Sequence, residues 1–323
     1  MYSLKEIFER VQVIFEHERF IFDPKELYEP IDYTLRLGGK RLRPALLLTV
    51  NQMMGGDIRQ AEGAALGIET FHNFTLLHDD IMDKSPLRRG KPTVWTQWNA
   101  NTAILSGDTM YAMAWRYFLR TDHPNLRGIL NCFNETAIEV CEGQQYDMNF
   151  ESSTDVTLDR YIMMICKKTA VLLAGAMKIG AMYAGCRDTD LEHIYNCGIN
   201  MGLAFQIQDD LLDSYGNQAT FGKPIGQDIR DNKKTYMILK ALELSPSSDR
   251  ETIKAIYDNP HHNEKSVSEV INLYDRLCVK DSAEKEVARL MNAAETELHE
   301  IKASDVMKQP LIDMIDMLIG RKR

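Results

Sequence analysis

Between Ala100 and Gly185 the chain carries few prolines and almost no alternation of apolar with polar residues, while its apolar side chains recur at helical steps. So long a stretch without a strand signal restricts the fold to packed helices. The same period opens the chain, where Leu4, Ile7, Phe8, Val11, Ile14 and Phe15 form one face. A second helix is expected to start after Pro30 and run to Arg36, and Pro44 suits the first turn of a third. A long helix is expected over Ala61 to Asp83, in which Ala64, Ile68, Phe71 and Thr75 repeat in threes and fours. Toward the end, Ser245 to Arg250 and Asn259 to Ser266 read as polar loops and Val267 to Ile301 as one or two helices. Pro310 to Ile319 reads as a short amphipathic helix ahead of the basic Arg321-Lys322-Arg323. With no linker, composition break or low-complexity tract in view, the expectation is one all-α domain over residues 1–323.

Composition narrows the partners. The 323 residues suffice for a sizeable core, and 44% hydrophobic with 26% charged residues is ordinary for a soluble globular chain. A net charge of -9 argues against nucleic acid, so any polyanionic ligand must be met by local cations and metal ions. Cys132, Cys141, Cys166, Cys186, Cys197 and Cys278 show no CxxC spacing and read as reduced thiols, mostly in the core. The N-terminus, amphipathic and acid-bearing, is unlike a signal peptide. The longest apolar stretch, Ala170 to Gly185, is broken by Lys178 and falls short of the ~20 residues of a membrane span. A cytoplasmic location is expected.

The chemistry is concentrated in Leu76 to Trp95, LLHDDIMDKSPLRRGKPTVW. On a helix Asp79 and Asp83 point the same way, ~6 Å apart along the axis. Two like charges one turn apart destabilise a helix unless a cation lies between them, and hard oxygen ligands suit Mg²⁺, which keeps waters and shares substrate phosphates. Pro86 pushes the chain out of the helix, and Arg88, Arg89 and Lys91 follow. A phosphorylated ligand gripped through metal and arginine accounts for both halves. Taken alone, the pattern also fits an acidic helix end paired with a basic loop.

Other stretches repeat the theme. Gly38-Gly39-Lys40-Arg41-Leu42-Arg43-Pro44 sets three cations around a flexible glycine pair, able to reach a diphosphate or simply to line a helix entry in solvent. His72 lies two turns before Asp79 on the same stripe, either facing the same space or serving as a hydrogen-bonded core histidine. Lys167, Lys168 and Thr169 interrupt an apolar helix, where a lysine needs an anionic partner or a path to the surface. Then GLAFQIQDDLLD places Gln206, Asp209 and Asp213 on one stripe, a second acidic motif of the first one's form. Its following segment, GKPIGQDIRDNKKT, supplies Lys223, Lys233 and Lys234.

In their order, GGKRLRP, LLHDDIMDKSPLRRG, KKTA, FQIQDDLLD and GKPIGQDIRDNKKT resemble the trans-polyprenyl diphosphate synthases, from about Gly38 to Thr235. The resemblance implies an all-α isoprenoid-synthase fold with a central cavity, the two acidic helices facing across its mouth, and a homodimer. It implies that Asp79, Asp83 and Asp209 hold Mg²⁺ against an allylic diphosphate that Arg88, Lys168, Lys223 and Lys233 also contact. Lys40, Arg43, His72 and Arg89 would bind isopentenyl diphosphate, and Thr169 and Gln206 would line the place where positive charge develops. The implied reaction condenses the two diphosphates into a short all-trans chain. In this family bulky residues just before the first motif act as the cavity floor, here Phe74 and Thr75. One aromatic with a small neighbour resembles the geranylgeranyl pattern, so C20 or C15 is expected. A helix wheel puts Thr75 on the Asp79 stripe and Phe74 to one side, so spacing alone does not make Phe74 the stopper.

Three other readings compete. A class I terpene cyclase shares the metal-triggered ionisation but has no use for Lys40, Arg43, His72 and Arg89 together. A metal phosphohydrolase suggested by His78-Asp79 needs further histidine ligands and leaves the second motif unexplained. A silent subunit of a heteromeric synthase should have lost one acidic motif, and both are intact.

Overall fold

The chain is built from helices because apolar residues at three- and four-residue steps can bury only along a helical face. A computed structural model describes residues 1–153, 155–216, 225–257 and 264–319. It divides into two compact units. The first comprises Met1–Glu135, Gly175–Tyr195 and Glu300–Met314, the second Thr136–Ala174, Asn196–His299 and Ile315–Arg323.

In the first unit, α1 (Leu4–His17) opens with a capping box in which Ser3 and Glu6 satisfy each other's backbone N–H groups. Ile7, Val11 and Phe15 are its buried stripe. Helix α2 (Lys25–Arg36) starts before Pro30 rather than after it, and Pro30 lies buried inside it. As the sixth residue of the helix, Pro30 forgoes the one bond that an N–H there would give to the carbonyl of Glu26. Helix α3 (Leu42–Met53) is buried on nearly every side, and α4 (Ile58–Met82) packs on it and on α6 (Ala100–Phe118). Helix α4 begins three residues before the expected Ala61, where Asp57 caps the N–H of Arg59. Between α4 and α6 come a two-residue antiparallel pair, β1 (Leu87–Arg88) with β2 (Lys91–Pro92), and the single turn α5 (Val94–Gln97). That hairpin had no alternating pattern to announce it.

The remaining helices are α7 (Leu126–Ser152), α8 (Leu158–Ile165), α9 (Val171–Tyr183), α10 (Asp188–Tyr215), α11 (Gln227–Arg230), α12 (Tyr236–Leu244), α13 (Ser247–Tyr257), α14 (Glu264–Arg276), α15 (Val279–Glu300) and α16 (Asp305–Ile319). Between α8 and α9 the residues Cys166–Ala170 form a π-helical turn. In the second unit Tyr161, Ile165, Ala170, Met201, Ile207, Ile238, Val270 and Val287 are core residues.

Four expectations are corrected here. Ser247 to Arg250 is helical, because Ile253, the buried residue of α13, gives the polar segment a face to dock. Glu264 to Ser266 already belongs to α14, and α16 begins at Asp305, five residues before Pro310. Of the cysteines only Cys197 is buried, while Cys141 and Cys278 are exposed, so the thiols are reduced but not mostly in the core. The Arg321-Lys322-Arg323 tail lies outside the described residues. Among the described residues no helix is long and apolar enough to cross a membrane.

Candidate active site

In the first unit the anion-seeking residues converge from three elements. Gly38 and Gly39 have φ of 79° and 133°, values that favour glycine, and they turn the chain so that Arg41 precedes α3. Arg89 sits in the hairpin turn with φ 53° and donates to the carbonyl of Gly38. A Cβ at Gly39 would meet the Arg89 guanidinium at 2.7 to 2.9 Å, so a larger residue there would push that side chain aside. Arg43, in the first turn of α3, brings Nη1 to 3.1 Å from His72 Nε2 on α4. An arginine can only donate, so Nε2 accepts and the ring proton belongs on Nδ1. Burial, and after it the Arg43 guanidinium, hold the His72 imidazole well below its usual pKa, which keeps it neutral. Arg43, His72 and Arg89 are thus gathered around one loop, with Lys40 exposed on it.

At the C-terminal end of α4 the aspartates divide their work. Asp83 caps the helix and is exposed, and Asp79, one turn back, is half-buried. Asp80 turns inward: it is 5% exposed, and Arg88 reaches it with Nε at 2.9 Å and Nη2 at 2.8 Å. Burial raises the Asp80 pKa more than Arg88 lowers it. Phe74 lies against Phe71, His78 and, on α6, Tyr111, with ring centroids 4.8 to 5.5 Å away. Thr75 spends its hydroxyl on the carbonyl of His72.

The second unit repeats the division. On α10 Asp209 is half-buried, whereas Asp210 and Asp213 are buried. Asp210 accepts from the Tyr161 hydroxyl, from the Tyr236 N–H at 3.0 Å and from Gln206 Nε2 at 3.1 Å. Burial, then Asp228, push its carboxyl up to about 8. Asp213 accepts the Asp228 N–H at 3.1 Å, tying α10 to α11. From the π-turn Lys168 pairs with Asp147 of α7, and Thr169 donates to Gln206 Oε1 at 3.1 Å. These residues, with Asp228, Lys233 and Lys234, line a cavity of about 120 Å³. Lys223 lies outside the described residues.

The sequence reading missed Asp147, Tyr161 and Asp228. Asp147 could have been found: it follows Gly143 by four residues on a helix, opposite a lysine that needs an anion. A larger cleft of about 590 Å³ lies on the first unit, but Arg10 and Arg120 in it are already paired with Glu62 and Glu18. Among the described residues no three His, Cys, Asp or Glu side chains converge as a metal cage. The oxygen-only ligands on accessible helix faces suit a cation that takes one or two carboxylates and completes its shell with phosphate and water.

Carboxylates kept accessible on a helix face, with arginines and lysines from adjoining segments, mark an enzyme that handles diphosphates. Polyprenyl synthetase is the family whose model matches, over residues 24–274. A short chain isoprenyl diphosphate synthase of Methanothermobacter thermautotrophicus is 36% identical over 300 residues, covering 93% of this chain and 91% of its own. The crystal structure of a geranylgeranyl pyrophosphate synthase superposes with a TM-score of 0.94 at 39% identity, covering 100% of both chains. A Caulobacter crescentus polyprenyl synthase, solved with calcium and isoprenyl diphosphate, has a TM-score of 0.89 at 27% identity, covering 99% of this chain and 97% of that one. The chain belongs to the polyprenyl synthetase family. Its fold is the all-α isoprenoid synthase fold, and its activity is that of a short-chain trans-prenyltransferase.

Proposed function

We propose that this enzyme, acting as one polyprenyl synthetase domain, condenses isopentenyl diphosphate with an allylic diphosphate to give an all-trans product of C20 or C15. Asp79, Asp83 and Asp209 would hold Mg²⁺, and Arg88, Lys168, Lys223 and Lys233 would bind the allylic diphosphate. Lys40, Arg43, His72 and Arg89 would bind isopentenyl diphosphate. A homodimer in the cytoplasm is part of the same reading.

Breaking an allylic C–O bond leaves a carbocation and a diphosphate, so the barrier falls chiefly by stabilising the leaving group. Bound Mg²⁺ supplies Lewis-acid stabilisation of that group. Lys168, Lys223 and Lys233 neutralise part of its remaining charge, and Arg88 can do so with the N–H donors that Asp80 leaves over. Thr169 and Gln206 offer oxygen dipoles to the cation without a nucleophile strong enough to trap it. Neutral His72, with Arg43, orients the second diphosphate, whose double bond attacks before a proton is lost to the departing diphosphate. No side-chain nucleophile or histidine base is required.

The observation that carries this reading is the split within both motifs. The middle aspartate of each is buried, Asp80 against Arg88 and Asp210 against Tyr161, while Asp79, Asp83 and Asp209 stay on accessible or half-accessible faces. The test is incubation of the purified chain with Mg²⁺, geranyl diphosphate and labelled isopentenyl diphosphate. Pyrophosphate release with a C20 or C15 product, abolished by EDTA, is expected. Hydrocarbon or alcohol from the allylic diphosphate alone would mean a cyclase, and no pyrophosphate at all a silent subunit.

A further inference from the structure

The π-turn that presents Lys168 and Thr169 is held from two sides by the same arrangement. On α7, Gly143 lies against the turn so closely that a Cβ would fall 2.2 Å from the Lys168 nitrogen and 2.6 Å from the Lys168 Cα. One helical turn further, on the same stripe, Asp147 pairs with Lys168 Nζ. On α10, a Cβ at Gly202 would fall 2.5 Å from the Ala170 Cα and 2.7 Å from its Cβ. One turn further on that helix, Gln206 accepts from the Thr169 hydroxyl at 3.1 Å. Each helix therefore offers a glycine against the backbone and, four residues on, a polar side chain to a functional group.

We propose that Gly143 and Gly202 are positioning residues, which set the depth of the π-turn so that Asp147 aims Lys168 and Gln206 aims Thr169. A π-turn widens the helix by one residue, and such turns are frequent at functional sites. Left unsupported it would relax toward the α-helix on either side, rotating Lys168 away from Thr169. Without a Cβ at position 143 or 202, each flanking helix reaches the turn's own backbone and blocks that relaxation. The roles of Lys168 and Thr169 rest on the proposed function, and the two glycines should accordingly fail differently. Gly143 governs the grip on the allylic diphosphate, and Gly202 the support of the developing cation.

The test is steady-state kinetics of Gly143→Ala and Gly202→Ala with both substrates, alongside the wild type. Gly143→Ala is expected to raise KM for the allylic diphosphate about tenfold or more, with KM for isopentenyl diphosphate changed less than about twofold. Gly202→Ala is expected to lower kcat about tenfold or more with both KM values nearly unchanged. If Gly143→Ala does not fold, Asp147→Asn serves in its place, and if Gly202→Ala does not fold, Gln206→Leu does, with the same split between KM and kcat expected. Wild-type parameters in the variants, or the same loss in both members of the pair, would overturn the proposal while leaving the assigned activity standing. A wild type that releases no pyrophosphate would remove both.

Discussion

Arg88 meets the buried Asp80 with two nitrogens, Nε at 2.9 Å and Nη2 at 2.8 Å, three residues before the exposed Asp83. One acidic motif thus holds a structural carboxylate and accessible ones side by side, and substitution should separate them. Asp80→Ala leaves Arg88 without its partner and is expected to cost about 2 kcal/mol in urea unfolding. That is below the ~3–5 kcal/mol of a fully buried pair, because Arg88 keeps 29% of its side chain exposed. Asp83→Ala should change stability by less than about 0.5 kcal/mol, yet lower turnover about a hundredfold or more. Equal stability losses in the two variants would contradict this division.

The second motif carries the corresponding bond in a drier place. Tyr161 and Asp210 are both core residues, and the tyrosine hydroxyl donates to the Asp210 carboxyl group. Tyr161→Phe keeps the ring and removes one donor, so it should cost about 1–2 kcal/mol. Tyr215 makes the same kind of bond to Asp275, at 2.7 Å, in an exposed setting. Tyr215→Phe should therefore cost no more than about 0.5 kcal/mol, since water replaces what is lost. Denaturation of the two variants side by side tests whether burial decides the value of the bond.

Much of this division was legible in the sequence only in outline. The i, i+4 stripe singled out Asp79 with Asp83 and Gln206 with Asp209 and Asp213, because helical period alone determines which side chains share a face. Period cannot say which face is dry. Asp213, on the same stripe as Asp209, proves buried against the Asp228 N–H, a contact fixed by the turn before α11 and 15 residues away. The long helices followed from their apolar repeats, whereas α13 did not, since its buried Ile253 is too little pattern in a polar segment. The π-turn leaves no mark in periodicity at all. It depends on Gly143 and Gly202, which read as ordinary helix glycines until their neighbours are known.

His72 gives a pH dependence of definite sign. Burial and Arg43 hold its pKa well below 6.5 in the folded chain, while the unfolded chain titrates near the usual value. At pH 7 and above it is neutral in both states and contributes no slope. As pH falls below about 6.5 the unfolded state takes up a proton that the folded state refuses, and stability is lost at up to about 1.4 kcal/mol per pH unit. His72→Gln keeps an acceptor for Arg43 and removes that proton. Between pH 6.5 and 5, in metal-free buffer, the wild type should lose stability relative to the variant. A wild type that gained on the variant over this range would show that His72 folds charged.

Phe74 tests the floor of the product cavity. Its ring packs at a tilt against Phe71 and, on α6, Tyr111, so it cannot swing aside as a lone exposed aromatic could. A half-buried ring held in this way can stop a growing chain, and Thr75, its small neighbour, cannot do so in its stead. Phe74→Ala should cost about 2 kcal/mol of stability, less than the ~3–5 kcal/mol of a fully buried phenylalanine. It should also lengthen the main product by at least one isoprene unit, read by mass spectrometry of the dephosphorylated alcohols. Thr75→Phe, adding bulk on the Asp79 stripe, should shorten it. If Phe74→Ala leaves the product distribution unchanged, chain length is set by some other residue.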